Sequence, residues 1–400
     1  MIQIAIMGLG TVGSGVARVI SENRTQIERK LGEALEVKSI LVRHFKDGPD
    51  RHLMTNDFAT IEQDPEIRVV VETIGGTGAA YDYTRRALLA GKHVVTANKQ
   101  LVAERGCELL QLAKEQGVNY LFEASVGGGI PVLHPLTQCM AANRIDEVCG
   151  ILNGTTNYIL TRMVKAGISF QAALKEAQDK GYAEADPTAD VEGIDAGRKA
   201  CILADLAFGR QVDPDKVPME GISGVTLKDV ELAGQAGYQI KLLGRTLRLP
   251  EEKRTAYVAP HLIPAEHPMA NVQDVFNAVL IRGNATGDVM FYGKGAGAMP
   301  TASACVSDVM EALQQPSGRE ELCWSPDDGG FADPMEVNTR WYFRISGSLN
   351  EAASAFGEVE VLAENEETAF LTEAISGLEA QQRSRSLRVL SRFRVLGESQ

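Results

Sequence analysis

Ile2-Gln3-Ile4-Ala5-Ile6-Met7-Gly8-Leu9-Gly10-Thr11-Val12-Gly13 opens the chain and decides its fold. A mostly apolar six-residue run reads as a strand, and a G-x-G-x-x-G turn follows it directly, ahead of a helical pattern. Such a turn alone is common. Between a strand and a helix, it lets the backbone approach a pyrophosphate whose charge is met by amides at the helix N-terminus. Gly8, Gly10, Thr11, Val12 and Gly13 are the expected cofactor contacts; the plainer alternative is a tight turn without a ligand.

Outward from the turn, apolar runs over 37–42, 69–73, 93–96 and 120–123 alternate with helix-like stretches over 12–30, 81–89 and 104–115. Their near-continuous Val, Ile and Leu content suits strands covered on both faces. The fold class is therefore α/β, a Rossmann-type doubly wound parallel sheet over residues 1–130, with a returning segment expected near 295–320. From Ile130 the pattern changes. Pro131 suits the first turn of a helix running to Met140. A strand-like run over 148–152, helices over 170–179 and 194–207, and strands over 255–259 and 279–282 indicate a second, α+β domain spanning 131–294, for catalysis and dimerisation. Pro326-Asp327-Asp328-Gly329-Gly330 reads as a linker. Strands over 341–345, 359–362 and 387–395 around two helices then make a small third module, 340–400.

Composition narrows the function. A chain of 400 residues exceeds one simple core. Its net charge of −13 argues against a nucleic-acid surface, which needs clustered Lys and Arg. The six cysteines are scattered without a C-x-x-C pair, so neither zinc nor a disulfide framework is indicated. The histidines lack paired spacing for a metal centre, and Ser125 lacks the elbow of a serine nucleophile. The N-terminus has no leader pattern and no apolar run approaches the ~20 residues that span a bilayer, so a soluble, cytoplasmic protein without membrane partners is expected.

Three features bear on chemistry. The second strand ends Leu41-Val42-Arg43-His44, with Lys46 beyond and no acid before Asp47. A cation there would pair with a 2′-phosphate, favouring NADP over NAD, unless Arg43 is simply a solvated strand end. Thr73, Gly75-Gly76 and Asn98-Lys99 fall at strand ends on the ligand-binding edge, although Lys99 could equally be a surface lysine. The densest polar cluster runs Gly181-Tyr182-Ala183-Glu184-Ala185-Asp186-Pro187, then Asp190, Asp195 and Lys199. Asp195 and Lys199, spaced i,i+4, share a helix face. By themselves they read slightly better as an exposed pair worth ~0.3–0.5 kcal/mol.

Here the chain resembles the homoserine dehydrogenase family. The likeness rests on Val94-Val95-Thr96-Ala97-Asn98-Lys99, on Glu123-Ala124-Ser125-Val126-Gly127-Gly128-Gly129-Ile130-Pro131 and on Gly150-Ile151-Leu152-Asn153-Gly154-Thr155-Thr156-Asn157-Tyr158. It continues through 181–199 and Gly293-Lys294-Gly295-Ala296-Gly297, covering residues 1 to about 315 in family order. The resemblance implies interconversion of L-homoserine and L-aspartate 4-semialdehyde in threonine and methionine biosynthesis, with NADP, or NAD, as cofactor. It assigns the proton donor to Lys199, with Lys99 beside nicotinamide and substrate, since charge developing on the carbonyl oxygen must be met by a proton donor. Glu184 and Asp195 would receive the substrate ammonium, with Asp190 supporting the cluster, and Thr155 its carboxylate, with Gly181 and Gly297 close to the cofactor. It also implies a monovalent cation, sodium, held by Glu123 and the backbone carbonyls of Val126, Gly128 and Ile130, oxygen donors that suit a hard ion. From residues alone, 127–129 reads as well as a hinge.

Longer members of that family end in an ACT domain, a βαββαβ regulatory module. Residues 340–400 resemble a shortened one, but Gly347-Ser348-Leu349-Asn350 replaces the usual Pro-Gly, which favours packing or assembly over effector binding. A homodimer or higher homo-oligomer is expected. Two other functions stand beside this one. A semialdehyde dehydrogenase would need an activated Cys, whereas Cys149 and Cys201 lie in apolar runs. A nucleotide sensor without catalysis would not need lysines among the acids.

Overall fold

The computed structural model describes residues 1–315, 324–326 and 329–397. Strands β1 (Ile2–Met7), β2 (Leu35–Leu41), β3 (Met54–Thr55), β4 (Ile67–Glu72), β5 (His93–Thr96) and β6 (Tyr120–Leu121) form one parallel sheet in the order β3-β2-β1-β4-β5-β6. Helices cover both faces, which is why the middle strands carry no polar alternation: Ile4, Ala5, Ile6, Val69, Val70 and Val71 are fully buried. Strand order reverses between β1 and β4, and the crevice beyond their carboxyl ends is where such sheets bind ligands.

Local chemistry shifts several expected boundaries. The helix expected over 12–30 is two helices, Thr11–Glu22 and Arg24–Leu31, because Asn23 leaves helical geometry while its amide still bonds Val19. The last strand stops at Leu121, and Glu123 begins a 3-10 turn, Glu123–Ser125. The helix expected from Pro131 shrinks to the π-type turn Pro135–Cys139. Pro135 has no amide hydrogen to donate, and the Thr137 hydroxyl bonds the Leu133 carbonyl at 2.9 Å. Residues 327 and 328 of the expected linker lie outside the described residues.

The second sheet is mixed. It comprises β7 (Ile145–Ile151), β8 (Tyr238–Arg248), β9 (Arg254–Pro264), β10 (Phe276–Gly283) and β11 (Gly287–Lys294). Later strands are β12 (Asn338–Thr339), β13 (Trp341–Ile345), β14 (Glu360–Glu364), β15 (Thr368–Leu371), β16 (Ile375–Ser376) and β17 (Val389–Val395), of which β12 and β16 pair separately. The remaining nine strands run β11-β10-β7-β8-β9-β17-β13-β15-β14. The tail thus joins the same sheet, through the parallel pair β9–β17. Its own elements follow a βαββαβ order, with helices Leu349–Phe356 and Gly377–Arg383, and its four strands pair antiparallel. Buried Arg344 on β13 fastens it, bonding Asp229 at 2.7 Å on the helix Leu227–Gln235. Tyr342 and Ser391 donate to the same carboxylate.

Another buried ion pair fixes the sheet centre. Arg245 on β8 donates to Glu147 on β7 at 2.6 and 2.8 Å, and Arg282 reaches its other oxygen. Removing the acid would strand a guanidinium with almost no solvent exposure. Glu147→Ala is expected to destabilise the fold by about 3–5 kcal/mol in urea unfolding. An unchanged midpoint would mean that Tyr257 and water suffice for Arg245.

Candidate active site

The helix Ala298–Gln314 returns to pack on Thr11–Glu22, where Gly15 lies against the Ala298 carbonyl. This brings the glycine turn beside the second sheet. Gly8 adopts φ +99°, and a methyl at Gly13 would run into the Gly8 carbonyl oxygen. The Thr73 hydroxyl donates to the carbonyls of Met7 and Gly8 at 3.0 and 3.1 Å, fixing the turn against β4. Gly10 precedes the helix without a side-chain cap, which leaves the first amides available to an anion.

Lys99 begins the helix Lys99–Gln116, which Asn98 caps by accepting from the Leu101 amide. Asp195 and Lys199 lie on the helix Ile194–Phe208, and both are buried. Asp195 bridges the two lysines: Oδ1 stands 2.9 Å from Lys99 Nζ and Oδ2 2.7 Å from Lys199 Nζ. The Asn153 amide donates to Asp195 at 2.9 Å and to Asp190 at 2.7 Å. Burial pushes the Asp195 carboxyl up, but Lys199, Lys99 and the Asn153 hydrogen bond outweigh it and hold it well below the usual carboxylate range. Burial raises Asp190, only partly offset by Asn153. Lys199 also donates to the Leu152 carbonyl at 2.7 Å, so two of its three N–H directions are spent within the protein.

These groups line one cleft of about 730 Å³ between the two sheets, with Thr11, Val12, Gly128, Gly154, Thr155, Gly181, Lys294 and Gly297. The volume suits a dinucleotide with a small co-substrate.

A family model described as homoserine dehydrogenase matches residues 131–310, and one described as its NAD-binding domain matches 8–123. A homoserine dehydrogenase of a Synechocystis species is 46% identical, over 89% of this chain and 82% of its own. The crystal structure of a homoserine dehydrogenase from Thiobacillus denitrificans superposes with a TM-score of 0.91, at 36% identity, covering 99% of this chain and 98% of that one. A hyperthermophilic archaeal homoserine dehydrogenase in complex with NADPH has a TM-score of 0.67 at 27% identity, covering 78% and 98%. The chain belongs to the homoserine dehydrogenase family.

Of the positions matched to homoserine dehydrogenases, the fold brings Thr11, Val12, Lys99, Gly128, Thr155, Gly181, Asp190, Asp195, Lys199 and Gly297 to the cleft, with Gly8, Gly10, Gly13 and Thr73 forming the adjoining turn. Five positions stand apart, among them Val126 and Ile130, which are buried and outside the cleft lining. Glu184 is exposed and outside the cleft lining. Arg43 is exposed beyond β2, whereas Lys46 reaches the turn itself, its ammonium 2.9 Å from the Leu9 carbonyl. The Glu123 carboxylate accepts from the amides of Val132, Leu133 and His134 at 2.6, 2.9 and 2.7 Å, turning it onto the start of the next helical turn.

Several supporting groups carried no assigned role. Asn153 orients both acids; its place directly before a helix is the N-cap signal that could have marked it. Glu72, fully buried, accepts from the Ile74 and Gly75 amides and from Thr96, whose oxygen receives the Asn98 amide. That chain of bonds sets the strand ends from which Lys99 departs. Cys149 and Cys201 are buried away from the cleft; burial pushes the Cys149 thiol up to about 12 and Cys201 well above its ordinary value, unlike an activated nucleophile.

Proposed function

We propose that the chain interconverts L-homoserine and L-aspartate 4-semialdehyde, with Lys199 giving and recovering the proton at the reacting oxygen. The chain is an NAD(P)-dependent oxidoreductase of the homoserine dehydrogenase type, and the nicotinamide nucleotide, when bound, carries the hydride. The observation behind the assignment is the pairing of Lys199: with Leu152 and Asp195 holding two donors, one donor is left for a ligand in the cleft. Held between Asp195 and the Leu152 carbonyl, the ammonium is oriented, as a donor to a developing alkoxide must be. Lys99 adds a second positive charge across the same carboxylate.

Both Asp195 oxygens are occupied by lysines, so Asp190 becomes the first acid for the substrate ammonium. Exposed Glu184 would join only through movement of the segment after Tyr182. Thr155, at the start of the helix Gly154–Ala166, fits the substrate carboxylate, although its hydroxyl here donates to the Tyr182 carbonyl. The carbonyls of Val126, Gly128 and Ile130 accept no backbone bond among the described residues. As hard oxygen donors they suit sodium, which would stiffen this loop; the Glu123 carboxylate, held by amides, does not fit the set. No helix among the described residues is long and apolar enough to cross a membrane, and a cytoplasmic location fits this chemistry. Assembly through β11, an edge strand exposing Met290 and Tyr292, suits a homo-oligomer, and the tail serves packing.

Initial rates with homoserine and each nucleotide test the assignment, which requires homoserine-dependent reduction of NADP; none with either nucleotide would end it. Arg43 and Lys46, both near the end of β2, favour the 2′-phosphate. Lys46→Ala is expected to raise the KM for NADP about tenfold, the loss of one charge-assisted contact, without raising that for NAD. An equal rise for both would place Lys46 in support of the turn instead.

A further inference from the structure

We propose that Lys294 is the anion-binding cation of the cleft, its ammonium pairing with an anionic oxygen group of a ligand: a phosphate of the nucleotide or the carboxylate of the amino acid. The inference rests on the function proposed above and adds a residue to it. The cations lining the cleft are Lys99, Lys199 and Lys294. The first two are locked on Asp195. Lys294 has no side-chain ion pair or hydrogen bond among the described residues, and no further acid besides Asp190 and Asp195 lines the cleft.

Its backbone is nevertheless held tightly. The Lys294 carbonyl accepts from the Gly129 amide at 3.1 Å, and Lys294 stands opposite Phe276 in the β10–β11 ladder. The next residue, Gly295, lies so close to the Asn277 side chain that no methyl would fit. Gly297, at φ +128°, then opens the helix Ala298–Gln314. Lys294 is itself exposed, so this fixed backbone presents an unengaged ammonium at the cleft wall while the side chain stays free to turn toward a ligand.

The surroundings agree in sign. Two helices of 12 and 17 residues begin at this cleft, at Thr11 and Ala298, and neither has a side-chain cap. Their free amides carry partial positive charge. Asn98 and Asn153, by contrast, cap the helices that carry Lys99 and Thr155. Lys294 therefore adds a full charge to a cleft already polarised for anions.

The test is Lys294→Gln in the full chain, beside Lys294→Arg and Lys228→Gln, an exposed lysine outside the cleft. Affinity for NADP is measured by calorimetry across a salt series, and the KM for homoserine at saturating NADP. In Lys294→Gln one affinity should weaken at least about tenfold, the loss of a charged hydrogen bond, and Lys294→Arg should recover most of it. Weaker NADP binding with a shallower salt dependence identifies a phosphate partner; a raised homoserine KM alone identifies the carboxylate. Both affinities matching Lys228→Gln would overturn the proposal, as would lost turnover with both intact. Wild-type protein that fails to oxidise homoserine would instead overturn the proposed function, and the calorimetric arm would still report on Lys294.

Discussion

Lys199→Ala is expected to lower kcat by ~10²–10⁴ while NADP binds as in the wild type. The size follows from what the ammonium does. Hydride arrival at the aldehyde carbon leaves charge on oxygen, and one positioned N–H must meet it within the cleft. Loss of an interaction made mainly in the transition state lowers kcat and kcat/KM together. The glycine turn and the uncapped helix at Thr11 lie elsewhere in the cleft, so calorimetry should find cofactor affinity retained. Lys199→Arg restores charge but not the compact point donor that fits between Leu152 and Asp195, and should recover little. Near-wild-type turnover in Lys199→Ala would move the proton donor to Lys99.

The parallel sheet was legible because β1, β4 and β5 are buried on both faces and therefore read as unbroken apolar runs. Strand β8 escaped notice for the opposite reason. Its Lys241 and Arg245 are buried cations, and on a strand such residues read as solvent-facing. Their partners are Asn157 and Glu147, 84 and 98 residues away, so nothing local announces the burial. In the catalytic cluster, spacing put Asp195 and Lys199 on one face but could not say whether that face meets water or the interior. Lys99, nearly a hundred residues earlier, reaches Asp195 only because β5 and the helix Ile194–Phe208 pack around one cleft. Motif resemblance supplied that convergence, with Glu184 and Asp195 as the ammonium contacts and Asp190 in support. The structure separates them: Asp195 is neutralised by lysines, Asp190 is held by Asn153, and Glu184 points into solvent space outside the lining. Lys46 overtakes Arg43 at the turn because the chain after β2 bends back toward Leu9, and no residue pattern encodes that bend.

Asp195→Asn is the second large effect, expected to cost about 10²-fold in kcat, the scale of a displaced catalytic group. The carboxylate orients both lysines, and an amide cannot accept from both while neutralising either. Two ammonium groups, one buried and one partly exposed, then face one another without the carboxylate that sets their positions. Stability offers an independent check with a definite sign. Asp195 titrates well below the usual carboxylate range in the folded chain. Its contribution is therefore complete above the unfolded carboxylate pKa, and is lost only as pH falls through the depressed folded value. The wild type should keep this contribution through mild acid, and the asparagine variant should lack it throughout. Equal urea midpoints for the two proteins at neutral pH, with matching kcat, would show that the lysines hold their places without Asp195.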